Sequence, residues 1–126
     1  MAMKAVLKYI DHTKGTLVAF GTVTVSGNYG TSGGALPHGD TLDFSQLGIA
    51  THSLPYQVEL WSTPPQGAAP LNDTYTYLPG TTLANGVVQV SLAGTEFTPG
   101  NPYSGASPTN VAGYVLNFQA EFAAFT

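Results

Sequence analysis

The chain has 126 residues, no cysteine, a net charge of −4, and only 8% charged residues where about a quarter is usual. That length suits one domain with one core, and the absence of cysteine excludes disulfides and thiolate metal sites. The only cations are Lys4, Lys8 and Lys14, too few to line a phosphate-tracking groove, which argues against nucleic acid as a partner. No apolar run approaches the ~20 residues of a membrane span, and the N-terminus lacks the apolar core of a signal peptide. The polar surface is left to Thr, Ser, Asn, Gln and Gly, a supply that favours strands and turns over ion-paired helices.

In chain order, Lys4 to Ile10 reads as a first strand, with Ala5, Leu7 and Tyr9 on one face and Val6, Lys8 and Ile10 on the other. Asp11 to Gly15 fits a hairpin turn. Residues 1–8 also suit an arm that orders on contact with a partner. Thr16 to Tyr29 is a long strand with Leu17, Ala19, Gly21, Val23 and Val25 on one side. Gly21 in its middle predicts a bulge or a close approach of a neighbouring backbone. Gly30 to Asp40 is a glycine-rich surface loop; it lacks the lysine of a phosphate-binding loop. Thr41 to Ile49 reads as one helical turn, capped by Asp43 or Ser45 and ended by Gly48. Its Leu42, Phe44, Leu47 and Ile49 would plug one end of the fold.

Tyr56 to Ser62 alternates, with Tyr56, Val58 and Leu60 on one face and Gln57, Glu59 and Trp61 on the other. Thr63 to Asn72 holds three prolines and is a loop. Asp73 to Leu78 is a strand with Tyr75 and Tyr77 on one side. Pro79-Gly80 and Asn85-Gly86 mark turns, the second with the dipeptide of a type I′ hairpin. Val87 to Leu92 places Val88, Val90 and Leu92 inward. Thr95 to Asn110 is an irregular excursion, and Val111 to Phe125 is the clearest strand, with Tyr114, Leu116, Phe118, Ala120 and Phe122 on its core face. The sum is about six or seven strands. We therefore expect a single all-β domain over residues 1–126, a small antiparallel β-sandwich or β-barrel with one short helical turn.

The residues offer little chemistry for catalysis. His12, His38 and His52 have no partner at ligand spacing beyond Asp11 and Asp40, so no metal or cofactor is expected. Glu59 and Glu121 would form a glycosidase-like pair only if their strands were neighbours. No G-x-S-x-G occurs. No residue is assigned a catalytic role, and the chain reads as a non-enzyme. Trp61, Tyr75, Tyr77 and Tyr103 fall on polar faces or loops and suggest a binding surface, because Tyr and Trp give large contact area at low entropy cost.

Val23 to Gly34 (V-x-V-S-G-N-Y-G-T-S-G-G), Gly39 to Ile49 (G-D-T-L-D-F-S-Q-L-G-I) and Thr74 to Val90 (T-Y-x-Y-x-P-G-T-T-L-A-N-G-x-x-x-V) resemble small structural proteins of tailed bacteriophages, as does the alternating strand Tyr114 to Phe122. The insert Leu36-Pro37-His38 and the excursion Thr95 to Asn110 depart from that pattern. The resemblance implies a capsid decoration (cement) protein, made in the host cytoplasm, that binds and stabilises the assembled phage head from the capsid surface. Its partner would be the major capsid protein, and the protein would be a homo-oligomer, often a trimer at local symmetry axes. Candidate interface residues are Met1, Lys4 and Lys8 of the N-terminal segment, with Trp61, Tyr75, Tyr77 and Tyr103. The alternative is a carbohydrate- or host-surface-binding module of a phage fibre or tail, with Trp61 and Tyr75 or Tyr77 stacking on sugar rings.

Overall fold

The computed structural model describes residues 3–13, 15–25, 29–30, 39–47, 54–69, 72–96 and 114–123. Eight strands lie among them: β1 (Met3–Thr13), β2 (Thr16–Val25), β3 (Asp40–Asp43), β4 (Gln57–Thr63), β5 (Asp73–Leu78), β6 (Gly86–Leu92), β7 (Thr95–Glu96) and β8 (Val115–Ala123). They form one sheet in the order β4-β8-β2-β1-β3-β6-β5, with β7 paired to β6. The sheet curls into a nearly closed all-β barrel. Its two end strands, β4 and β5, are consecutive in sequence, and across their seam the Ser62 hydroxyl donates to Asp73 Oδ1 at 2.9 Å. The sheet is mixed: β1 and β3 run parallel, Met3 opposite Leu42, while every other neighbouring pair is antiparallel.

The alternation in β2 and β8 sets the core. Leu17, Ala19 and Val23 of β2 and Leu116, Phe118, Ala120 and Phe122 of β8 are buried, as the period of two requires. Val88 and Val90 of β6 join them. Phe44 lies at the centre, its ring 5.5 Å from Phe118, 5.7 Å from Tyr77 and 5.9 Å from Phe122, all tilted or edge-on. Of the expected plug, Leu42, Phe44 and Leu47 pack on the core, Gly48 and Ile49 lie outside the described residues, and the segment begins as strand rather than helix. Only Ser45–Leu47 turns, as a 3₁₀ turn, with Asp43 Oδ1 accepting from the Ser45 N–H at 2.7 Å as the cap.

β1 differs from its sequence reading in two ways. It begins at Met3, which is fully buried, and it is hydrogen-bonded between β2 and β3. From residue 3 onward the expected arm is therefore a central strand. The second difference is a bulge. Leu7 faces Gly21 but Tyr9 faces Phe20, which leaves Lys8 as the extra residue. One inserted residue inverts the parity beyond it. Ile10 thus packs on the core, and Tyr9, read as sharing the face of Ala5 and Leu7, points outward. Gly21 permits this. A Cβ there would lie 2.7 Å from Phe118 Cε1 and closer still to the Val6 carbonyl oxygen.

Asn85-Gly86 is not a two-residue hairpin turn. β5 ends at Leu78 and β6 begins at Gly86, so the connection spans the residues between them. Asn85 staples that connection: its Oδ1 accepts from the Thr82 N–H and its Nδ2 donates to Thr81 Oγ1, each at 2.9 Å. Gly86 is needed for a different reason, since a Cβ there would meet Tyr77 Cε1 at 2.7 Å.

Candidate binding surface

Tyr29, Asp40 and Tyr75 commit their inward polar groups to holding the barrel together. Tyr29 is fully buried; its hydroxyl donates to Glu96 Oε2 at 2.8 Å and accepts from the Val90 N–H at 3.1 Å. Burial foremost, then the Glu96 carboxylate, raises its pKa, against the opposing pull of the Val90 N–H. Asp40, also fully buried, accepts from the Gly30 N–H at 3.1 Å and so clasps the two ends of the glycine-rich loop. At the seam the Tyr75 hydroxyl donates to Asp73 Oδ2, and burial with this bond raises the Tyr75 pKa as well. The Tyr77 hydroxyl is buried without a hydrogen-bond partner among the described residues, and burial pushes its pKa up to about 12. Tyr75 and Tyr77 therefore do not lie on a polar face. Both pack against the core, because β5 pairs with β6 in the register that sets Tyr75 beside Val90 and Tyr77 beside Val88.

The outer face of β4, β8, β2 and β1 has a different character. Successive ranks cross it: Trp61, Asn117, Thr22 and Val6 in one; Glu59, Gln119, Phe20 and Tyr9 in the next; Gln57, Glu121, Val18 and Asp11 in the third. Within these ranks Tyr9 is 59% exposed, Trp61 43% and Val6 41%. The bulge turns Tyr9 onto Phe20, and their rings stack at 4.5 Å and 18°. Between this slab and Trp61 runs a groove of about 200 Å³, lined also by Lys8 and Asn117. Asn117 Nδ2 donates to the Trp61 carbonyl at 3.2 Å and to Thr63 Oγ1 at 2.8 Å, which ties the Trp61 backbone to β8. A larger cleft of about 320 Å³ opens where the β2–β8 ladder ends at Val23 and Leu116, lined by Thr22–Val25 and Tyr114–Leu116. The smaller groove carries the more varied chemistry: a cation, an amide and four aromatic residues, Phe118 among them.

Of the candidate interface residues, the structure brings Lys8 and Trp61 together in this groove. Lys4 is exposed on the same strand as Lys8, opposite Thr24. Met1 and Tyr103 lie outside the described residues, as do Lys14, His38, His52 and the Leu36-Pro37-His38 insert. Tyr9 and Phe20 were not singled out from the sequence; the signal that could have found them is Gly21, which marks the bulge. β4 and β8 are neighbours, so the condition on Glu59 and Glu121 is met. They sit diagonally, however, Glu59 opposite Gln119 and Glu121 opposite Gln57, on the outer face of the sheet. Glu59 there accepts from Gln57 Nε2 at 3.2 Å. Among the described residues no group of three or more His, Asp or Glu could hold a metal ion, and no helix is long and apolar enough to cross a membrane. No family model, curated protein or solved structure matches the chain.

Proposed function

We propose that this chain is a virion structural protein, a capsid decoration protein that binds and stabilises an assembled phage head. The observation that supports this reading is the outer sheet face. Val6, Tyr9 and Trp61 stand exposed on strands hydrogen-bonded to β2 and β8, with Lys4 and Lys8 as cations beside them. A sheet surface of this kind loses little entropy on docking and suits binding to a lattice. The two lysines would meet an acidic patch of the major capsid protein, and a homo-oligomer, a trimer at a local symmetry axis, would repeat the contact. Separating virions that carry the chain into heads and tails, followed by mass spectrometry, tests this. Stoichiometric recovery with heads is the expected result; recovery with tails or in neither fraction overturns it. A second reading, a carbohydrate- or host-surface-binding module of a fibre or tail, draws on the aromatic groove at Trp61.

A further inference from the structure

We propose that the groove between Trp61 and the Tyr9–Phe20 stack is a glycan subsite for one negatively charged pyranose ring, with Lys8 as its anion contact. The inference deepens the second reading above and does not depend on where in a virion the chain resides.

The position of the groove decides what kind of ligand it can recognise. It lies over β1, β2, β8 and β4, and at this level β2 and β8 are paired on both sides. The floor of the groove, on β2 and β8, therefore offers no free backbone edge. An extended peptide binding by strand addition needs such an edge for its main-chain hydrogen bonds. A sugar ring does not. Its C–H face packs on an aromatic ring, burying apolar surface, and its hydroxyls take side-chain hydrogen bonds.

The walls fit that description. Trp61 presents a half-exposed indole on one side, and the stacked Tyr9 and Phe20 rings form a slab on the other. Asn117, which also lines the groove, ties the Trp61 backbone to β8 through its amide. The volume of about 200 Å³ lies below the ~300 Å³ where pockets for drug-sized ligands begin, which suits a single ring.

Charge sets the class of sugar. Lys8 is the only charged residue among those lining the groove, in a chain of net charge −4 with three lysines in all. Its ammonium offers three donors and a compact positive charge to an anion. Glu59 stands at the β4 end of the Tyr9–Phe20 rank, and Glu121 and Asp11 lie one rank further, in the direction away from Val6 and Trp61. Like-charge repulsion from that direction orients an anionic substituent toward Lys8. A lysine supplies a point charge and does not discriminate a carboxylate from a sulfate. The shared chemistry is therefore an acidic pyranose, and a uronate and a sulfated sugar are its two sources.

The chain contains a single tryptophan, so the fluorescence of Trp61 reports the site directly. The full chain is titrated with oligogalacturonate, with a sulfated galactan oligomer, and with the neutral galactan oligomer, at low and at physiological salt. The expected result is saturable binding of one or both acidic oligomers that weakens with salt, and weaker binding of the neutral one. Which acidic oligomer binds more tightly identifies the source of the charge. Lys8→Gln is expected to weaken acidic-sugar binding about fivefold and to remove most of its salt dependence. Lys4→Gln is expected to leave binding unchanged. Trp61→Ala, followed by calorimetry, is expected to abolish binding of all three. Lys8 and Trp61 both face outward, so circular dichroism and the urea midpoint check that the variants remain folded. Equal binding of acidic and neutral oligomers, unmoved by Lys8→Gln, overturns the charge assignment while leaving a glycan-binding groove. Saturable binding of none of the three overturns both, as does binding of an acidic peptide in their place. Neither outcome touches the capsid reading, which the fractionation decides.

Discussion

Gly21→Ala is the most direct test of how the barrel is built. The added methyl would point inward from the middle of β2, 2.7 Å from Phe118 Cε1 and nearer still to the carbonyl oxygen of Val6, whereas real Cβ contacts do not fall below 3.0 Å. The Phe118 ring could tilt, but it is buried and packed 5.5 Å from Phe44. The Val6 carbonyl belongs to the β1 backbone just before the bulge and has no rotamer to move to. Strand must therefore part from strand in the centre of the sheet. Overpacking of one methyl in a tight core costs about 1–3 kcal/mol, and a backbone contact belongs at the upper end of that range. At roughly 4 °C per kcal/mol for a chain of this size, the loss in Tm is about 10 °C. Urea unfolding should show a lower midpoint at an unchanged slope. Gly15→Ala is the comparison: Gly15 takes φ +83° in open space, so its substitution carries only the conformational cost of about 1 kcal/mol. Adding Phe118→Leu to Gly21→Ala should recover only part of the loss, because the carbonyl contact remains. A Gly21→Ala variant within about 0.5 kcal/mol of wild type would refute the reasoning, since a surface change costs that much.

Three further outcomes follow from the polar interior. Asp73→Ala removes the acceptor of both Ser62 and Tyr75 at the seam and should cost about 1–3 kcal/mol by urea unfolding, with faster amide exchange in β4 and β5 than elsewhere; uniform exchange would argue against a seam held at this point. Tyr77→Phe deletes a buried hydroxyl that has no partner among the described residues and should be neutral or stabilising by up to about 1 kcal/mol, and a clear destabilisation would mean that the hydroxyl is satisfied. Above the ordinary tyrosine pKa of 10, the unfolded chain releases protons that Tyr29, Tyr75 and Tyr77 retain in the native state. The native state then binds more protons, so stability is whole below pH 10 and falls as pH rises from there through about 12, where Tyr77 titrates. Urea midpoints across that window, read beside tyrosinate absorbance, check it; a flat profile would show that these tyrosines ionise in the folded barrel.

What could be read from the sequence depended on whether a strand's two faces differ. In β2 and β8 one face is aliphatic or aromatic and the other carries mostly Thr, Asn, Gln or Glu, so the strands and their core faces were legible. In β5 the alternation of Tyr with Thr gave the strand and the shared side of Tyr75 and Tyr77 but not which side was inward. Threonine and tyrosine are both tolerated at a half-buried position, and pairing with Val88 and Val90 decides the matter. Asn85-Gly86 misled for a related reason. A dipeptide suited to a tight turn was used for two separate tasks, Asn85 as a loop staple and Gly86 as space for the Tyr77 ring. The parallel pairing of β1 with β3 and the near-closure at β4 and β5 are long-range pairings to which no local pattern points.

The bulge at Lys8 links the fold to the surface proposed for binding. Nothing within KAVLKYI marks the extra residue; the mark is Gly21, on the opposing strand. Without the bulge, the parity of β1 would carry Tyr9 inward with Leu7, and the outer face would lose the ring that stacks on Phe20. With it, the chain spends one residue out of register to present an aromatic slab on the outer face, with Lys8 at its border. Groove and core therefore share one distortion. A change that disturbs the ladder at Gly21 should loosen the Tyr9–Phe20 stack as it destabilises the barrel. Changes confined to the outer ends of Lys8 or Trp61 should alter the surface and leave stability alone. Such a separation is what a binding face on a load-carrying sheet requires, and it allows the two sets of variants to be interpreted independently.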